Sequence, residues 1–174
     1  TLQNEAFVAA QDVNYVGLGA DASGTLEYNG ASSVLSSAIR FEYLWNEVRV
    51  KGGAYGSLYA HRLNGDFVLG SYRDPNIRET LEVYNNVPKF VKGLELSDEE
   101  LTKYIIGTMS PLERPKSAYS KGLEALTRLK RGRTAADISK LKEEILATES
   151  KDLVALSSDI QKVQDKATLV VIGN

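Results

Sequence analysis

Leu44-Trp45-Asn46-Glu47-Val48-Arg49-Val50-Lys51-Gly52-Gly53-Ala54-Tyr55-Gly56 joins two kinds of periodicity in thirteen residues. Upstream, apolar residues fall at Val34, Ala38, Phe41, Trp45 and Val48, in steps of four and three. That spacing predicts a helix from Ser32 to about Val48 with one buried stripe. Gly52-Gly53 ends it. Downstream, two segments of strand character, Ala54 to Arg62 and Asp66 to Arg73, flank Leu63-Asn64-Gly65. The Asn-Gly pair favours the positive φ angles of a tight hairpin turn. The local plan is thus a helix that stops on glycine and turns into a hairpin.

Outward from this centre the chain alternates between the same two patterns. Phe7 to Gly19 is rich in Val, Ala and Tyr and closes on a Gly/Asp/Ser cluster, Gly19 to Gly24, which predicts a strand and a turn. After Asp74-Pro75-Asn76, helical spacing returns through Ile77, Leu81, Tyr84 and Val91, with Pro88 making the second half irregular. Ser97-Asp98-Glu99-Glu100 has the form of a capping box, and predicts a helix from Asp98 to about Met109 that buries Leu101, Ile105 and Met109. Pro111 and Pro115 precede a helical stretch from Ala118 to Lys130, ended by Gly132, and Thr134 starts the next. The stripes Ile138, Leu141, Ile145 and Leu153, Leu156, Ile160, Val163 predict two helices in series with a break near Ser150. Ala167 to Gly173 is predicted as a buried strand. The expected architecture is α+β, an antiparallel or mixed sheet with a helical layer on one face.

Composition narrows the function. At 174 residues, one hydrophobic core is expected. With 43% apolar residues, 25% charged residues and a net charge of -2, the chain is an ordinary globular sequence. Lys and Arg are scattered among Asp and Glu, so nucleic acid is not the expected partner. The absence of cysteine excludes disulfides, thiolate metal sites and a cysteine nucleophile together. No apolar run approaches the roughly 18 residues of a membrane span, so no membrane partner is expected. The opening Thr1-Leu2-Gln3-Asn4-Glu5 lacks a signal-peptide pattern and a starting Met. A processed or excised piece is expected, and the default location is cytoplasmic, although a removed leader would leave no trace.

The Leu44–Gly56 string resembles the signature near the start of the last domain of presequence proteases, a branch of the pitrilysin/insulinase family of zinc metallopeptidases. Ser71-Tyr72-Arg73-Asp74-Pro75-Asn76, the Ser97 helix start and the closing Val170-Val171-Ile172-Gly173 resemble segments placed similarly in that family. The resemblance covers roughly the whole chain. It implies a metallopeptidase-half fold of the processing-peptidase kind, forming the non-catalytic C-terminal domain of a larger bilobal peptidase; against that family the chain is short enough to lack an N-terminal strand or hairpin. It further implies that an Arg and a Tyr six residues apart, here Arg49 and Tyr55, project toward a zinc site on the N-terminal half and bind substrate and oxyanion. Gly52, Gly53 and Gly56, which have no Cβ, would let an extended peptide approach the backbone. The implied partners are the N-terminal catalytic half and unstructured peptide substrates. The implied cofactor is zinc in the parent protein, with none in this chain. A surface from Phe41 to Tyr59 is expected to be partly exposed where the other half would cover it. The alternative is an inactive homologous subunit serving as a scaffold or interaction module.

The residues themselves fit a domain that is inactive alone. The family's inverted H-x-x-E-H needs two histidines, and this chain has one. His61, followed by Arg62-Leu63-Asn64-Gly65, belongs to no such motif and is expected to be a partly exposed strand residue. No G-x-S-x-G nucleophile elbow occurs, and Gly17-x-Gly19 continues as Ala-Asp-Ala rather than opening a helix. Without the family string, Arg49 would be read as a helix-terminal surface charge and Tyr55 as half-buried core. Strand alternation predicts Tyr55, Ser57, Tyr59 and His61 on one face, the candidate lining of a substrate chamber.

Overall fold

A computed structural model describes residues 3–173; Thr1, Leu2 and Asn174, part of the expected 1–174 span, lie outside them. The described residues form a five-stranded mixed sheet in the order β1-β5-β2-β4-β3, built from β1 (Glu5–Val8), β2 (Asn14–Asp21), β3 (Gly56–His61), β4 (Asp66–Asp74) and β5 (Thr168–Gly173). Only β1 and β5 pair in parallel. The α+β expectation therefore holds. The single strand expected over Phe7 to Gly19 is two, because the chain turns between Val8 and Asn14 and re-enters the sheet on the far side of β5.

Register divides every strand between two unlike faces. On one, Val16 and Leu18 of β2, Phe67 and Leu69 of β4, Tyr59 of β3 and Leu169 and Val171 of β5 belong to, or pack against, the hydrophobic core. On the other, Tyr15, Tyr72, Leu58, Ile172 and Phe7 are all exposed. The helices pack against the first face. This corrects the expectation that β5 is a buried strand. A strand needs cover on both sides for that, and Ile172 stays 39% exposed although β5 is hydrogen-bonded on both edges.

The helical layer begins with α1 (Gly30–Ala38), capped by Asn29. From Ile39 to Lys51 the helix continues as a π-helix, in which each carbonyl accepts from the amide five residues on. That winding corrects the predicted stripe. The buried positions run Val34, Leu35, Ala38, Ile39, Leu44 and Val48, while Phe41 and Trp45 turn outward at 53% and 42% exposure. Tyr43 anchors the π-helix from within, its hydroxyl donating to the Val83 carbonyl at 3.0 Å and its ring stacked on Phe90.

The remaining helices follow their punctuation. The segment from Ile77 to Lys92 splits into α2 (Arg78–Asn85) and α3 (Val87–Lys92), with Pro88 in the first turn of α3, where its missing amide costs nothing. The Ser97 capping box forms as read, and α4 (Asp98–Glu113) runs past the predicted end. Its buried residue is Tyr104, with Leu101, Ile105 and Met109 half-buried beside it. Next come α5 (Ala118–Lys130) and α6 (Ala135–Leu146), the latter with its own capping box at Thr134. The last helical stretch breaks again at Leu156 into α7 (Ser150–Ala155) and α8 (Ser157–Gln164).

Helices α1 and α6 meet closely at Gly30. Its amide donates to Glu144 Oε2 at 3.0 Å, and a Cβ there would lie 2.3 Å from the Glu144 backbone. Gly30→Ala is expected to lower unfolding free energy by about 1–3 kcal/mol in denaturant titration, as overpacking does. Gly107→Ala, inside α4 with nothing within 4 Å, is expected to raise it by about 0.4–1 kcal/mol.

Candidate functional site

The Arg49–Tyr55 pair is built by the end of the π-helix. Gly52 N–H donates to the Glu47 carbonyl at 3.0 Å, Gly53 N–H to Arg49 at 3.0 Å, and Ala54 N–H to Val48 at 3.2 Å. Each bond reaches one residue further back than in an ordinary glycine helix stop. Gly53 takes φ +79, and a Cβ at Gly52 would sit 2.6 Å from the Val48 carbonyl oxygen. The Ala54 and Tyr55 amides complete this turn, so β3 starts at Gly56, two residues later than predicted.

The string Ser71-Tyr72-Arg73-Asp74-Pro75-Asn76 locks the turn from the other side. Asp74, fully buried, accepts from Thr80 Oγ1 at 2.7 Å and from the Asn76 amide at 2.9 Å. Asn76 Nδ2 in turn donates to the Gly52 carbonyl, and Tyr55 N–H donates to the Arg73 carbonyl at 3.2 Å. The hairpin between these strings is closed by Gly65 N–H to the Arg62 carbonyl at 3.0 Å. Only Gly65 is left-handed there, at φ +88, so Asn64 does not adopt the positive φ that the Asn-Gly pair suggested.

Around this frame four side chains gather on the surface. The Arg49 guanidinium lies over the Trp45 ring, 4.1 Å from its centroid, and 6.0 Å from the Tyr55 centroid. Tyr55, 60% exposed, meets the Tyr72 ring at 5.6 Å and 61°. A Cβ at Gly56 would lie 2.3 Å from the Tyr72 ring, so that glycine makes room for an aromatic neighbour of Tyr55. The expected exposure of the Phe41–Tyr59 surface holds for Phe41, Trp45, Tyr55 and Leu58; Tyr59, at 5%, is core. Trp45 and Tyr72 were missed as site residues. The helical spacing places Trp45 in the buried stripe, and Tyr72 shares its face with Gly56 through a strand register that no local pattern reveals.

The rest of the proposed chamber face separates. Ser57, Tyr59 and His61 point toward the helices, whereas Tyr55, preceding the strand, does not share their surroundings. His61 is 7% exposed, which corrects the partly exposed reading. It packs edge-on to Tyr28 at 5.6 Å, with Nδ1 unpartnered. Among the described residues no three His, Cys, Asp or Glu side chains are grouped to hold a metal ion, so this surface does not fit a zinc site. No helix among them is long and apolar enough to cross a membrane.

Residues 4–174 match the family model described as the PreP C-terminal domain. The chain belongs to that family. It is 38% identical to Protein HypA of Clostridium perfringens over 99% of the chain and 18% of that protein. It is also 38% identical to chloroplastic/mitochondrial presequence protease 1 of Arabidopsis thaliana, over 99% of the chain and 16% of that protein. The chain thus spans less than a fifth of the length of these curated relatives. Its fold is that of the inactive peptidase M16 domain from Pseudomonas fluorescens, with TM-score 0.73 at 15% identity over 98% of this chain and 43% of that one. Pitrilysin superposes with TM-score 0.62 at 16% identity over 98% of this chain and 19% of that one. The presequence-protease resemblance read from Leu44–Gly56 is therefore the family of the whole domain.

Burial holds the His61 imidazole below its ordinary pKa of 6.5, with the nearby Leu26 backbone working the other way. The unfolded chain then binds this proton more readily than the folded one, so stability rises with pH in the window below 6.5 and is lost on acidification through it. Thermal melts from about pH 7.5 down to about pH 5.5 are expected to show a falling Tm, and His61→Gln is expected to flatten that slope. An unchanged slope in the variant would assign the loss to other groups.

Proposed function

We propose that this domain is the non-catalytic C-terminal part of a zinc metalloendopeptidase that encloses and degrades unstructured peptides, and that it supplies Arg49 and Tyr55 to a site whose zinc is held by the N-terminal half. The observation that carries this is the pairing of two polar side chains on an exposed aromatic platform, in a domain with no metal-ligand cluster among its described residues. Arg49 is already oriented by stacking on Trp45, so little side-chain freedom remains to be lost when its planar fork of donors meets peptide carbonyls. The Tyr55 hydroxyl is a donor for the oxygen that gains charge as a peptide carbonyl is attacked. Gly52 and Gly53 contribute bare backbone at the edge of this platform, while Gly56, buried beneath the Tyr72 ring, seats that ring beside Tyr55.

The exposed sheet face supports the same assignment. Tyr15, Leu58, Tyr72, Phe7 and Ile172 form more open apolar surface than an isolated domain needs, which is what an enclosing second half would cover. Peptides reaching the site would lie against the Tyr72 end of this face.

The test is made in the longer protein that carries this domain. Tyr55→Phe is expected to lower kcat for an unstructured peptide by about 10²- to 10³-fold, the cost of losing one well-placed oxyanion donor. Arg49→Ala is expected to lower kcat and raise KM, with zinc content and Tm unchanged in both variants. Near-normal kcat in Tyr55→Phe would remove the hydroxyl's role. The scaffold alternative is separated by the upstream reading frame: an H-x-x-E-H in the same polypeptide supports the peptidase, and its absence supports the scaffold.

A further inference from the structure

Arg73 stands where β4 leaves the sheet, and its backbone breaks the alternation that governs every other strand position near the site. Tyr15 pairs with Tyr72 while Asn14 pairs with Asp74, so Arg73 is the extra residue of a β-bulge. Its φ of +50 is the one left-handed angle at a non-glycine among the described residues. Strict alternation would send its side chain to the covered face, opposite to Tyr72. With the bulge, Tyr72 and Arg73 are both exposed, side by side. Bulges beside functional sites re-aim side chains in this way.

Glycine would take this backbone conformation without strain, whereas an arginine is held there against its own preference. The side chain therefore needs a reason beyond the turn. Its surroundings give one: the Arg73 guanidinium carbon lies 5.8 Å from the Tyr55 centroid, and Arg49 lies at 6.0 Å from the same ring. Tyr72 meets that ring edge-on. The ion pairs among the described residues use Lys51, Arg62 and five other lysines, and neither Arg49 nor Arg73. Two unpaired cations and one aromatic edge thus fix the direction of a phenol that is otherwise open to solvent.

We propose that Arg73 is a positioning residue for Tyr55, re-aimed by the bulge so that its guanidinium, with Arg49 and Tyr72, holds the ring with its hydroxyl presented to the substrate carbonyl. The proposal rests on the role given to Tyr55 above. It predicts a residue that lowers fold stability yet raises turnover.

The experiment uses the full-length protein with a fluorogenic unstructured peptide, and compares Arg73→Gly, Arg73→Lys, Tyr55→Phe and the Arg73→Gly/Tyr55→Phe double variant. Arg73→Gly is expected to lower kcat on the order of 10- to 100-fold, with KM changed less and Tm unchanged or raised. Arg73→Lys, which keeps a cation near the ring, is expected to recover part of that loss. In the Tyr55→Phe background, Arg73→Gly is expected to cost less than about twofold, because no hydroxyl remains to be positioned. Equal losses in both backgrounds would make Arg73 an independent substrate contact and overturn the proposal, as would a lowered Tm in Arg73→Gly or wild-type kcat in that variant. If Tyr55→Phe loses kcat and Arg73→Gly does not, the positioning role alone fails. A Tyr55→Phe enzyme with normal kcat overturns both the positioning role and the function assigned to Tyr55.

Discussion

The sheet is covered on one face only, and most of the domain follows from that constraint. Because side chains alternate along a strand, each strand places its core residues toward the helices and leaves its other residues to a surface that nothing among the described residues hides. The covered side carries Val16, Phe67, Leu69 and Tyr59, all at or below 5% exposure. The open side carries Tyr15, Tyr72, Leu58 and Ile172, with Leu58 lying over Gly70 of the neighbouring strand. The sheet's core is complete and its second face is apolar without being packed.

The candidate surface depends on a second constraint, the π-winding of Ile39 to Lys51. In an α-helix continuing from Ala38, the stripe through Phe41 and Trp45 would face the core. The wider winding rotates those two residues outward and, at the last turn, sets Trp45 and Arg49 one above the other. The same winding lengthens the glycine stop by one residue. The π-helix end is then held across space by Asn76 on the Gly52 carbonyl, with Asp74 fixing Asn76 in place. Two strings more than twenty residues apart thus become one rigid frame, and the surface between them carries Arg49, Tyr55, Tyr72 and Arg73.

Local chemistry was legible in the sequence and winding and register were not. Ser97 with Glu100 predicts its capping box because the motif needs only four consecutive residues. Gly132 as a helix stop and Pro88 as a break are equally local. Arg49 and Tyr55 are legible only through the family string, as are Gly52, Gly53 and Gly56 beside them. Trp45 turns outward although five apolar residues at helical spacing fit a buried α-helical stripe, and no composition cue marks a π-turn. His61 was expected to be partly exposed as a lone polar residue near a turn, yet register puts it opposite Phe67, under the helices. Arg73 is the same kind of omission. A bulge is a count of residues between two strands, Tyr15 to Asn14 against Tyr72 to Asp74, and is invisible until both are paired.

Under the function proposed here, the exposure of the site bears on how such a domain would contribute to catalysis. A guanidinium and a phenol in open water interact weakly with any partner, since solvent competes for their hydrogen bonds and screens their charge. The same donors in a closed, water-excluded space stabilise developing charge far more strongly, provided they are oriented beforehand. This domain supplies orientation: Arg49 is stacked on Trp45, and Tyr55 is flanked by Arg49, Arg73 and Tyr72. It does not supply enclosure, because the surface around these residues is open. Under the function proposed here, enclosure comes from the other half of the enzyme, and the low activity expected of either half alone is a consequence of electrostatics as much as of missing ligands. The strained backbone at Arg73 fits that division, since preorganisation is the one contribution that a domain without the metal can build into itself in advance.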